Sequence, residues 1–87
     1  MAGHQEKIQR ARQFYEDVVK IVQSGDGTEE CDYHLLTKHN ELAVEVAGPN
    51  AFKFELSTMA PLPTYNALLT VSGQLAAYVE ARYDKQI

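Results

Sequence analysis

The chain has 87 residues, 45% of them hydrophobic and 23% charged, with a net charge of −4. That length suits one domain, residues 1–87, with a small core. A lone cysteine excludes an internal disulfide, no apolar run approaches the roughly 18 residues of a membrane helix, and Met1–Lys7 carries no secretory-signal pattern, so a cytoplasmic protein held by packing alone is expected.

Residues 1–4 are expected to be disordered, and 5–24 to form an amphipathic helix. Ile8, Ala11, Tyr15, Val18 and Val22 recur at three- and four-residue spacing, with Phe14 and Ile21 widening the stripe. Ser24-Gly25-Asp26-Gly27 stops it, with Gly25 placed for a left-handed cap.

From residue 31 the pattern reads as period two, which predicts strands at 31–38, 41–47 and 51–57. Leu42, Val44 and Val46 alternate with Ala43, Glu45 and Ala47; Phe52, Phe54 and Leu56 alternate with Lys53, Glu55 and Ser57. Taking His39-Asn40 as a two-residue turn puts Cys31, Tyr33, Leu35 and Thr37 inward and His34 and Leu36 outward. Gly48-Pro49-Asn50 supplies the next turn, with Gly48 or Asn50 at positive φ. An outer row His34–Glu45–Lys53 follows.

Ala60-Pro61-Leu62-Pro63 ends the strand pattern, and Pro63 suits a helix start. A second helix is expected over about 64–84, with Leu68, Val71, Leu75, Tyr78 and Arg82 in one column and Leu69, Ser72 and Val79 beside it. Gly73 in mid-helix costs about 1 kcal/mol against alanine. With Ala76 and Ala77 it offers a smooth surface that helix one or a second subunit could approach. The predicted fold is α+β: a two-layer α-β-β-β-α domain, a three-stranded antiparallel meander with both helices on one face.

Charge divides unevenly. Residues 1–24 carry +1, residues 25–63 carry −5, and residues 64–87 are neutral. The negative charge therefore falls on the expected sheet and its connectors, a surface suited to a basic partner.

Chemistry-bearing clusters are sparse. Cys31, His34 and His39 have half the spacing of a zinc site and no second cysteine; they read as a buried small hydrophobe and two exposed histidines. Asp26, Glu29, Glu30 and Asp32 do not follow a calcium-loop order and read as a solvated connector. There is no nucleophile elbow and no phosphate loop. No metal, cofactor or catalytic residue is assigned, and an enzyme would need a site between subunits.

The predicted α-β-β-β-α order resembles the double-stranded-RNA-binding domain and the small Alu-binding subunits of the signal recognition particle. The resemblance is one of element order across most of the chain. It implies RNA binding through basic residues at the second helix start, where this chain has Pro63-Thr64-Tyr65-Asn66-Ala67. Arg10, Arg12 and Lys20 are the only basic concentration, so nucleic acid is not the expected partner.

The expected function is a small acidic protein–protein interaction module, such as an adaptor, an inhibitor or a complex subunit. Its partner is another protein, with a homodimer as one form, and no membrane is involved. The candidate contact residues are Glu45, Glu55, Met59, Leu62, Tyr65 and Gly73. A nucleic-acid-binding domain and a subunit of a small oligomeric enzyme are the alternatives.

Overall fold

The computed structural model describes residues 2–25 and 27–84, with side chains at 5–25 and 27–83. Three α-helices dominate: α1 (Ala2–Ser24), α2 (Tyr33–Ala47) and α3 (Tyr65–Asp84), with a short 3₁₀ helix, η1 (Gly48–Lys53), after α2. Among the described residues there is no β-strand, only a single antiparallel bridge between Glu30 and Thr64. The expected α+β meander, with strands at 31–38, 41–47 and 51–57, is therefore wrong. The fold is a three-helix bundle.

The reason lies in α2. Leu36, His39, Leu42, Ala43, Val46 and Ala47 are buried, and they recur at the three- and four-residue spacing of one helical face. The strand register mistook part of that face for alternation. Val44, expected inward, is 55% exposed, while Ala43 and Leu36, expected outward, are fully buried. His39 and Asn40, taken as a turn, lie in mid-helix. Asp32 caps the N-terminus by accepting a hydrogen bond from the His34 amide at 3.2 Å. Gly48 ends the helix at φ +57°, and its N–H bonds the Val44 carbonyl. The left-handed cap expected at Gly25 does not form, whereas the positive φ expected at Gly48 or Asn50 is found at Gly48, alone among the described residues.

The third expected strand dissolves into η1 and an extended connector. Phe54 turns into the core, while Phe52, assigned to the same inner face, is 67% exposed. No strand pairs with the connector. The side chain of Asn40 takes its place, donating to the Leu56 carbonyl at 2.8 Å and accepting from the Leu56 amide at 2.9 Å.

α1 begins at Ala2, inside the segment expected to be disordered. Its Ile8, Ala11, Phe14 and Val18 meet Leu68, Ser72, Leu75 and Val79 of α3 and the buried face of α2 in one core. Full burial of each leucine or valine is worth about 1.5–3 kcal/mol. Thr64 caps α3, accepting from the Ala67 amide at 3.2 Å. Two connectors close one end of the bundle side by side: Cys31 N–H bonds the Pro63 carbonyl at 2.8 Å, Tyr65 N–H that of Glu29 at 3.0 Å, and Asn66 N–H that of Gly27 at 2.8 Å. The Glu30 carboxylate accepts from the Leu62 amide at 2.9 Å.

Candidate functional site

A three-helix bundle presents a valley between each pair of helices, and those flanking α1 form open grooves. The larger, about 730 Å³, lies between α1 and α3, and no residue of α2 or η1 lines it. Its floor is built from Tyr15, Leu69, Gly73, Ala76 and Ala77; Arg12, Glu16, Thr70, Gln74 and Glu80 form the rim. The sequence makes the groove by placing small residues where α3 turns away from the core. Leu68, Ser72, Leu75 and Val79 point inward, and positions 73, 76 and 77, rotated around the helix from that column, carry almost no side chain.

Gly73 sets the depth of this floor. A β-carbon there would stand 3.0 Å from Cε1 of Tyr15. The close approach expected at Gly73 is thus made by helix one, through a ring rather than through its backbone. Arg12 pairs with Glu80 at 2.9 Å across one end of the groove, with both side chains about half exposed. An ion pair so exposed contributes about 0–1 kcal/mol and serves chiefly to mark the rim.

The second valley, about 370 Å³, lies between α1 and α2 and is charged. Arg10 bonds Glu45 across it, and Gln13, Asp17, Lys38 and Glu41 crowd around Phe14 and Leu42. Glu45 therefore works within the molecule, tying α2 to α1. The outer row His34–Glu45–Lys53 does not exist, because these residues belong to α2 and η1 and not to neighbouring strands.

The other candidate contact residues separate. Glu55 is exposed on the connector after η1. Met59 is 77% exposed, whereas Leu62 and Tyr65 pack against the core. Met59 and Leu62, both expected as contact residues, part company: one points out and the other in. Neither joins Gly73 in the α1–α3 groove.

Among the described residues no three side chains of the metal-ligating kinds converge. Asp26 lies outside the described residues. His34 is exposed, as the sequence suggests, but His39 is fully buried. Its Nε2 lies 2.7 Å from the Phe54 carbonyl oxygen, so Nε2 carries the hydrogen and donates. Its Nδ1 is buried without a partner, and the Phe14 ring stands at 5.6 Å. Burial lowers the imidazole's titration below its ordinary value, and the Phe54 hydrogen bond opposes that shift. Cys31 is 3% exposed, and burial, with the charge of Asp32, pushes its thiol up to about 11; it is no nucleophile at neutral pH.

The helical fold also removes the basis of the resemblance to RNA-binding domains, which rested on an α-β-β-β-α order. Among the described residues no helix is long and apolar enough to cross a membrane. No family model matches the chain, and no curated protein or solved structure matches it.

Proposed function

We propose that the protein is a protein-interaction module that receives an amphipathic helix of a partner protein in the α1–α3 groove. The observation that carries this reading is the apolar floor of Tyr15, Leu69, Gly73, Ala76 and Ala77, left uncovered between two helices and bordered by polar side chains. A helix laid between two others buries its own apolar stripe and completes a four-helix arrangement. The small residues at 76 and 77 let that helix approach closely, beside the Tyr15 ring seated on Gly73. With Arg12 paired to Glu80, the addition of Glu16 leaves the rim negative, which favours a stripe flanked by lysine or arginine. The charged α1–α2 valley supports no such reading, because its opening is bridged by Arg10 and Glu45.

Photocrosslinkers placed singly at Thr70, Gln74 and Ala77 test the reading in native extract. The expected result is a crosslink to a basic, amphipathic helical segment of one protein, lost from Thr70 and Gln74 when Ala77→Trp fills the groove and retained when the crosslinker-bearing chain carries Met59→Ser. Crosslinks that survive Ala77→Trp, or none from any of the three positions, overturn it. Crosslinks to a second copy of this chain would replace the foreign partner with a homodimer.

A further inference from the structure

We propose that His39 and Asn40 form a proton-operated latch that holds the connector bearing Met59 against α2 and releases it when His39 is protonated. The latch consists of adjacent residues on one helix. His39 Nε2 donates to the Phe54 carbonyl at 2.7 Å, and the Asn40 side chain clasps both backbone groups of Leu56, at 2.8 and 2.9 Å. The connector runs on from Leu56 to Met59, which is 77% exposed.

The neutral imidazole satisfies this arrangement with one hydrogen, on Nε2. A second proton must go to Nδ1, which is buried and has no hydrogen-bond partner. It would create a donor without an acceptor and a positive charge shut away from water, and both are costly. Charged neighbours do not relieve it. α1 presents the Phe14 ring, and Arg10 and Asp17, one turn either side of Phe14, are exposed. On α2, Lys38 and Glu41 are exposed; on the connector side, so are Lys53 and Glu55, which flank Phe54. From α3 the Tyr78 ring stands 5.2 Å from that of Phe54, while its hydroxyl accepts from Asn50 and from the exposed Arg82, which bonds Tyr78 and not His39. The shift of His39 has burial as its first cause and the Phe54 bond as its second, with no charged side chain contributing. Letting go of residues 54–56 frees Nε2 and opens the connector side of the ring to water, without taking α1 from α3. The latch thus couples proton uptake to exposure of Phe54 and Leu56 beside Met59, a device of the kind buried histidines supply. It is independent of the α1–α3 groove.

Nuclear magnetic resonance of the whole chain, titrated from neutral to mildly acidic pH, tests the latch. The His39 ring protons and the amide protection factors of Leu56, Val18 and Leu75 are followed together. The expected result is a His39 midpoint below 6.5, with Leu56 protection falling as pH drops through that range by up to about tenfold per pH unit, the limit for one proton. Val18 and Leu75 keep their protection. In His39→Gln, which retains a donor for Phe54 but cannot titrate, Leu56 protection should no longer depend on pH. The proposal is overturned if Leu56 stays protected while His39 titrates, if all three amides lose protection together, or if His39→Gln keeps the wild-type pH dependence. The wild-type titration decides alone should that variant fail to fold.

Discussion

The Tyr15 ring covers Gly73, with Cε1 only 3.0 Å from where a β-carbon on residue 73 would sit. Two effects of similar size oppose each other at this contact. Alanine in mid-helix gains about 1 kcal/mol over glycine, and crowding a ring by a few tenths of an ångström takes some of that back. Tyr15 borders the open groove, so its ring has room to yield. Gly73→Ala should therefore change stability by less than about 1 kcal/mol in the wild-type chain and raise it by the full ~1 kcal/mol in a Tyr15→Ala background. Urea unfolding of the four chains gives the coupling directly. Equal effects in both backgrounds would mean that the ring does not press on residue 73.

α2 shows where the sequence could be read and where it misled. The two long helices follow from three- and four-residue spacing, and α1 and α3 stand where that spacing puts them, apart from a start at Ala2. α2 carries equally good signals: Asp32 as cap, a stripe from Leu36 through His39 to Ala47, then Gly48 and Pro49 as a stop. They were hidden because the stripe is two residues wide. Leu42-Ala43 and Val46-Ala47 are both buried pairs; choosing the larger member of each leaves Leu42 and Val46, and the exposed Val44 between them completes the imitation of a strand. Burial of a histidine in mid-stripe completed the deception, since His39 next to Asn40 resembles a polar turn. The groove was legible in part. Gly73, Ala76 and Ala77 stood out as a smooth surface, but its other wall, Tyr15 and Arg12 of α1, depends on helix pairing that no local pattern states.

Gly48 fixes the end of α2. Its φ of +57° and ψ of −124° lie where side-chain-bearing residues are strained, although nothing within 4 Å would obstruct a β-carbon. Gly48→Ala should cost about 1–3 kcal/mol for backbone reasons alone. The expected fall in Tm is about 4–8 °C per kcal/mol for a chain this small. An unchanged Tm would mean that α2 does not stop in this conformation.

Asn40 replaces a whole strand partner for the connector. Its two half-buried hydrogen bonds to Leu56 are worth about 0.5–1.5 kcal/mol each. Asn40→Ala should therefore destabilise the chain by about 1–3 kcal/mol. Asn40→Asp should cost at least as much at neutral pH, because it keeps the acceptor for the Leu56 amide but turns an anionic oxygen toward the Leu56 carbonyl. Chemical unfolding of both variants checks this, and a neutral Asn40→Asp would contradict the clasp.

Met59 and Leu62 are three residues apart and differ in what they do. Met59 is largely in water, so Met59→Ser should alter stability by no more than about 0.5 kcal/mol. Leu62 packs against the core, and its amide bonds the Glu30 carboxylate. Leu62→Ala keeps that backbone bond and loses half-buried apolar surface, for an expected cost of about 1–2 kcal/mol. Similar losses from the two substitutions would place Met59 on the core as well.

Cys31 reports on the closed end of the bundle. It sits between the clasped connectors, its amide bonded to Pro63 and its side chain 3% exposed. Burial first, and the neighbouring Asp32 second, raise its thiol from 9.0 to about 11. A group raised on folding stabilises fully below its unfolded value, so this contribution is intact below pH 9.0 and is lost as pH rises through about 11. At neutral pH the folded thiol is both protonated and covered, and iodoacetamide should label it only through opening of the two connectors. The labelling rate should then climb with sub-denaturing urea and with any substitution that loosens that end, Leu62→Ala among them, while Met59→Ser leaves it unchanged. Labelling in the native protein at the rate of an exposed thiol would show that the connectors do not close over Cys31.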